Sequence, residues 1–321
     1  MPLAVAGTCH WKASTMIVRD RPGLLRLFFI LRGSIVLRIL PQVLVILVLS
    51  AGVVWLRTTH PGWAPAFNGA PFALLGIALS VFLGFRNNAC YDRWWEARKD
   101  WGQLLYTVRD LGRQTLMLDR DGEPRAARRQ LLRLAMAFGH ALVCHLRPGG
   151  DATKPRRFLS AAQLAGFESS RNRPDFLLRQ MGQVLAELLA GGHVSDIQYT
   201  VLEGTLGRLS AVLAACERIR NTPVPFGYTL LLHRTAYLFC FLLPFGFADV
   251  LHWGTPFITG LVAYTFFGLD ALGDELEEPF GTRLNALPIE ALADTMEINL
   301  REALGETDLP SLPQPKGHVL M

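Results

Sequence analysis

Apolar runs and charged stretches divide this chain into blocks, and the apolar runs come in two pairs. A hydrocarbon core about 30 Å thick takes roughly 20 helical residues to cross. Four segments reach that length with few charges: Ile35 to Leu56, Ala66 to Phe85, Thr229 to Val250 and Thr255 to Leu272. A short connection joins the members of each pair, so the pattern predicts two helical hairpins. Between the pairs the spacing stays helical. Residues 86–117 extend the second run without a proline, which predicts one helix continuing beyond the apolar zone. Arg125 to Arg147 predicts an amphipathic helix ended by Pro148-Gly149-Gly150. Pro174 to Ala190 and Ser195 to Ile219 predict two more, parted by Gly191-Gly192. Strand-type alternation and internal repeats are absent from the sequence, and the Pro- and Gly-containing residues 305–321 predict a loose tail. The fold class expected is therefore an all-α membrane protein with four transmembrane helices and a further helical domain.

Composition strengthens this expectation and charge gives it an orientation. Half of the 321 residues are hydrophobic and only 18% are charged, a balance that needs long apolar runs. Lys12, Arg19, Arg21, Arg26 and Arg32 precede the first run, and Arg86, Arg93, Arg98, Lys99, Arg109 and Arg113 follow the second. The first connection carries Arg57 alone and the second carries no Lys or Arg. Basic residues stay on the cytosolic side. The expected organisation is a cytosolic N-terminal segment (1–34), a transmembrane hairpin (35–85), a cytosolic helical region (86–228), a second hairpin (229–272) and a cytosolic C-terminal segment and tail (273–321). The first fifteen residues lack the pattern of a secretory signal, and Met16 opens a stretch with the look of a natural start, so residues 1–15 are expected to be an extension or a loose leader. A net charge of +5 with no nucleic-acid motif excludes nucleic acid as the partner class.

Enzyme chemistry finds no support. The sequence holds no HExxH, Walker loop, GxSxG or GxGxxG. Cys9, Cys90, Cys144, Cys216 and Cys240 are widely spaced without a CxxC, which predicts reduced thiols. His140 and His145 stand five apart and do not share a helical face, and no metal or other cofactor is expected. Ionisable groups in apolar helices are costly and call for a partner or a task. Arg38, Arg234 and Asp270 are such groups. Arg234 and Asp270 fall at similar depth and suit a structural ion pair or snorkelling to the interface. As coupling groups they would instead make the chain a secondary transporter.

The second apolar run holds Ile77, Val81 and Phe85 at i, i+4 and i+8, one helical face about 12 Å long. The helix carries small residues elsewhere, Ala73, Gly76, Ala78, Ser80 and Gly84, which permit close helix approach. Such a stripe suits lipid contact and packing as well as a pore wall.

The stretch that follows, GFRNNACYDRWWEARKDWGQ from Gly84 to Gln103, closely resembles the signature of the bestrophin family, prokaryotic branch. The resemblance continues through ACERI at 215–219, NTPVPFGYTLLLHRTAYLF from Asn221 and LDALGDELEEPFGT from Leu269, and covers residues 16 to about 300. It implies a homopentameric ion channel of the bacterial inner membrane, with the lipid bilayer and permeant monovalent ions as partners. It also implies a pore neck at Ile77, Val81 and Phe85 and a second, cytosolic aperture at Ile197. Rings of apolar side chains gate by dewetting, in keeping with that assignment. The family's eukaryotic members carry an acidic calcium clasp after Pro-Phe-Gly. Here Thr282-Arg283-Leu284-Asn285 follow Pro279-Phe280-Gly281, too few oxygen ligands for calcium control. Animal members pass chloride, and bacterial relatives resembling this chain pass monovalent cations. Ile, Val and Phe cannot select a sign, so flanking charges must. Asp196, Asp92 and Glu96 favour cations such as sodium; Arg86 and Arg93 oppose them, and Asp196 could instead cap the helix that opens at Ser195. The lean is towards cations.

Overall fold

The structure, a computed structural model, describes residues 33–60, 63, 65, 67–119, 122–315 and 318–320, together with 16, 17, 23 and 30. The leader assigned to residues 1–15, the cations Lys12, Arg19, Arg21, Arg26 and Arg32, and Ala66 at the head of the second run lie outside them. Among the described residues all regular structure is helical, apart from an isolated bridge between Ile17 and Val319.

The apolar helices are α1 (Val36–Thr59), α2 (Gly69–Gln114), α8 (Phe226–Leu251) and α9 (Thr255–Glu277). Between α2 and α8 lie a short 3-10 turn (Thr115–Leu118), α3 (Glu123–Leu146), α4 (Thr153–Arg156), α5 (Ala161–Ser169), α6 (Arg173–Ala190) and α7 (Asp196–Asn221). Helix α10 (Ile289–Ala303) follows α9. In hydrocarbon every backbone amide needs an internal partner, and a continuous helix supplies it. Three stretches are long and apolar enough to cross a membrane: Val36–Thr59, Gly69–Leu118 and Phe226–Glu277. The last contains both α8 and α9, joined by a 3-10 turn, His252–Gly254, with His252 at φ +46°. Ring contacts between Phe239 and Phe266 (5.3 Å) and between Tyr237 and Phe267 (4.5 Å) run antiparallel, so this stretch is a hairpin. The chain is thus an all-α protein, with four apolar helices among the described residues.

The chain divides into two compact units. The first takes the described residues within Asp20–Lys99 and Glu217–Pro279. Its core joins Ile39 and Ile46 of α1, Leu79 and Leu83 of α2, Phe239 and Leu243 of α8, and Ala263 and Phe267 of α9. Small residues allow the close approach. A Cβ on Gly260 would lie 2.6 Å from Leu47 Cδ2, and one on Gly246 would lie 2.9 Å from the Phe72 ring. Thr259 Oγ1 donates to Ser50 Oγ at 2.9 Å inside the bundle, satisfying two hydroxyls without water. Ion pairs stand at both ends of α1: Arg38 with Asp274 (2.6 Å) and Arg57 with Asp249 (2.9 Å). Nineteen residues at 1.5 Å each separate Arg38 from Arg57, about 28 Å, close to one hydrocarbon thickness.

The second unit takes the described residues of Asp100–Cys216 and Phe280–Met321 with Met16 and Ile17. Helix α3 is its centre, packed by α6 and α10. Gly139 lets α10 in, because a Cβ there would collide with Met296. Helix α10 was not expected from the pattern, and it brings the C-terminal segment into the same unit as the middle helices. Residues 306–315 take no regular structure.

Candidate functional site

Helix α2 has one face closed by its own chain. Leu79, Leu83, Arg86, Cys90 and Ala97 follow at helical intervals and are buried. On the other face Ile77, Val81 and Phe85 remain 64%, 49% and 61% exposed, and nothing stands within 4 Å of a Cβ built on Gly84. The stripe read from the sequence therefore exists as one uncovered apolar surface. Ile197, in the first turn of α7, is 78% exposed and belongs to the second unit.

Arg86 follows Phe85 directly and is fully buried. One guanidinium nitrogen meets Asp270 Oδ1 at 2.9 Å and donates to the Asp270 carbonyl at 3.2 Å. The other meets Asp274 Oδ1 at 2.7 Å and Glu277 Oε2 at 3.4 Å. Arg38 joins the same cluster through Asp274 and through Glu275 at 3.7 Å, and His233 Nδ1 meets Asp270 Oδ2 at 2.6 Å. A buried charge persists only when paired and hydrogen-bonded, and α9 supplies the carboxylates at i, i+4 and i+7. The sequence set Arg234 at the depth of Asp270. The structure corrects that pairing: the partners of Asp270 are Arg86 and His233, while Arg234, the next residue along α8, is exposed. One helical step turns neighbouring residues about 100° apart, so His233, itself half exposed, meets Asp270 from a direction that Arg234 does not share.

The remaining charges near the stripe are sorted just as sharply. Arg93 donates to the carbonyls of Glu277 (2.7 Å), Thr222 (2.7 Å) and Ile219, tying α2 to both neighbouring segments of its unit. Glu96 is engaged by Arg218. Asp92 is exposed. At the start of α7, Ser195 and Gln198 form a reciprocal cap: Ser195 N donates to Gln198 Oε1 at 2.9 Å, and Gln198 N to Ser195 Oγ at 3.3 Å. The cap is made by these two residues, and the Asp196 side chain is exposed beside Ile197.

A second charged cluster, not foreseen from the sequence, lies within the other unit. His140 Nε2 meets Glu297 Oε2 at 2.7 Å and its ring stacks on Phe158 at 5.9 Å. Arg157 also engages Glu297, Arg301 approaches it at 3.6 Å, and Lys154 Nζ meets Asp294 at 2.6 Å. The ligand atoms of His140, Asp294 and Glu297 lie within 4.8 Å of one another, a metal-capable grouping. Lys154, Arg157 and Arg301 already neutralise both carboxylates, so the arrangement is an ion-pair network. Burial pushes the Glu297 carboxyl up, but the His140 hydrogen bond and the Arg157 and Arg301 charges outweigh it and hold the group below its ordinary value.

The family model for the bacterial and fungal bestrophin protein matches residues 16–302. A protein of Mesorhizobium japonicum named as a voltage-dependent anion channel-forming protein is 47% identical over 304 residues, 94% of this chain and 96% of that one. An Escherichia coli K12 protein with the same description is 41% identical over 303 residues, 94% of this chain and 99% of the other. The crystal structure of a bacterial bestrophin homologue from Klebsiella pneumoniae superposes with a TM-score of 0.80 at 38% identity. It covers 84% of this chain and 99% of that one.

Proposed function

The chain belongs to the bacterial and fungal bestrophin family, and from that premise we propose that five copies surround one axis to form a channel for monovalent ions. A bestrophin is a membrane channel and not an enzyme. The observation that carries the pentameric reading is the uncovered face of α2. Ile77, Val81 and Phe85 are large and apolar, yet their own chain leaves them open. Cyclic symmetry turns such a stripe into a lined tube, and its apolar rings form a neck that gates by dewetting. Ile197 forms a second, cytosolic aperture by the same logic. Both termini face the cytosol and the bilayer is the bacterial inner membrane, since the cations that follow the second apolar run stay inside. Lipid covers apolar side chains such as Val48, Phe257 and Leu261.

The pore passes monovalent cations. Arg86 is buried among carboxylates, while carbonyl bonds fix the direction of Arg93 without cancelling its charge. Asp92 and Asp196 are exposed, and five copies of Asp196 beside Ile197 make a carboxylate ring that attracts cations. The relatives' shared name points to anions instead, so the sign of the ion is the quantity to measure. A carrier using Arg234 and Asp270 has little to recommend it, since Asp270 is held by Arg86 and His233.

Purified protein in a planar bilayer under a sodium chloride gradient tests the reading. Discrete conductance steps and a reversal potential near that of sodium are expected, with about five copies per particle by mass in detergent. Asp196→Asn is expected to move the reversal potential towards zero. Reversal near the chloride potential would assign the pore to anions, and turnover without steps would make the protein a carrier.

A further inference from the structure

The channel reading leaves unused an open groove beside α3. Arg125, Arg129 and Arg133 line it together with the partly buried Phe158 and Leu159, around a volume of about 680 Å³. Small-molecule sites usually fall between about 300 and 1,000 Å³. The three arginines recur at i, i+4 and i+8, so they share one helical face about 12 Å long. Like charges at this spacing repel one another.

Among the described residues no carboxylate offsets the charge of Arg129 or Arg133. Arg125 Nε meets Asp119 at 3.1 Å, a pair that is half open to solvent. Arg133 donates to the carbonyls of Arg157 (3.1 Å) and Phe158 (3.4 Å), which hold its direction without cancelling its charge. Arg129, the central one, is exposed and forms no ion pair among the described residues. An ordinary solvated helix face mixes signs. Among the described residues that line this cavity the charged ones are all arginines, and planar guanidinium forks match phosphate oxygens two at a time.

We propose that this groove binds a phosphate-bearing anion, its apolar part resting on Phe158 and Leu159. Two sources share that chemistry: a soluble phosphorylated compound and the headgroup of an anionic lipid. Each is tested on the full chain in nanodiscs. In phosphatidylcholine discs, titration calorimetry with inorganic tripolyphosphate is expected to give one saturable site per chain, weakening as salt is raised. Arg129→Glu is expected to weaken it by about tenfold or more, and Arg129→Lys to restore part of the loss. Arg171→Glu makes the same charge change at an exposed position outside the groove and is expected to leave binding unchanged. In the lipid arm, phosphatidylglycerol is expected to raise the melting temperature of the wild type and not of Arg129→Glu. A response to tripolyphosphate assigns a soluble ligand, and a response to phosphatidylglycerol alone assigns the headgroup. Silence in both arms, or equal responses from wild type and Arg129→Glu, overturns the site.

Discussion

Leu79, Leu83, Arg86 and Cys90 on one face of α2 are closed off by their own chain, while Ile77, Val81 and Phe85 on the other stay uncovered over the same few turns. Hydrophobicity does not separate the two faces, since the closed one contains an arginine and the open one contains none. What separates them is company. The closed face meets α9 carboxylates and apolar neighbours from its own fold, so its residues answer for stability. The open face has no such company within one chain, and the proposed function gives its residues to assembly and conduction.

The largest effect should come from breaking the closed face. Arg86→Ala leaves Asp270 and Asp274 short of their shared cation, and removing one member of a buried pair costs about 3–5 kcal/mol. Thermal unfolding in detergent should show a large fall in melting temperature or no folded protein. An unchanged melting temperature would erase the distinction between the faces. The converse substitution replaces Ile77, Val81 and Phe85 together with alanine. Because these side chains are open, stability should move by only about 0.5 kcal/mol. Single-channel conductance should rise several-fold as the neck widens and wets. If the melting temperature collapses and conductance does not rise, the stripe is a packing surface.

Glu297 extends the contrast to a buried charge of the second unit. Its folded-state carboxyl lies below the ordinary value of 4.5. Its contribution to stability is therefore fully present above about pH 4.5 and is lost as the pH falls through the lower folded value. Chemical unfolding from pH 7 down to 3 should show that loss, and Glu297→Gln should flatten it. At neutral pH the same variant should cost about 1–3 kcal/mol, because a single neutral carbonyl oxygen replaces the charged carboxylate that His140 and Arg157 share. A pH profile identical to the wild type would show the network to be idle.

The four apolar helices were legible because their signal is local: each run is long enough by itself, and α2 continues past Phe85 because no proline or glycine pair stops it. The stripe was legible for the same reason, as spacing along one helix. Its assignment to a pore rested on the family resemblance rather than on periodicity. The partner of Asp270 was not legible. Arg86 lies 184 positions away, and only the rotation of the folded helix decides that His233 rather than Arg234 meets Asp270. Helix α10 was missed because its buried side includes Glu297, which counts as a surface residue until His140 and Arg157 are seen to receive it. The three-arginine face of α3 was present in the sequence but looked like the polar side of any amphipathic helix until a wall stood opposite it.

The two ion pairs at the ends of α1 carry a consequence for the surrounding lipid. Arg38 with Asp274 and Arg57 with Asp249 clamp α1 to α9 at one end and to α8 at the other, so this helix cannot adjust its slant independently of its neighbours. A bundle with a fixed apolar height of about 28 Å leaves mismatch to be absorbed by the lipid. Longer acyl chains must compress around it, at a cost of fractions of a kcal/mol for each ångström. The protein should then gather shorter-chain lipids at its perimeter and partition away from thick, ordered regions of the membrane.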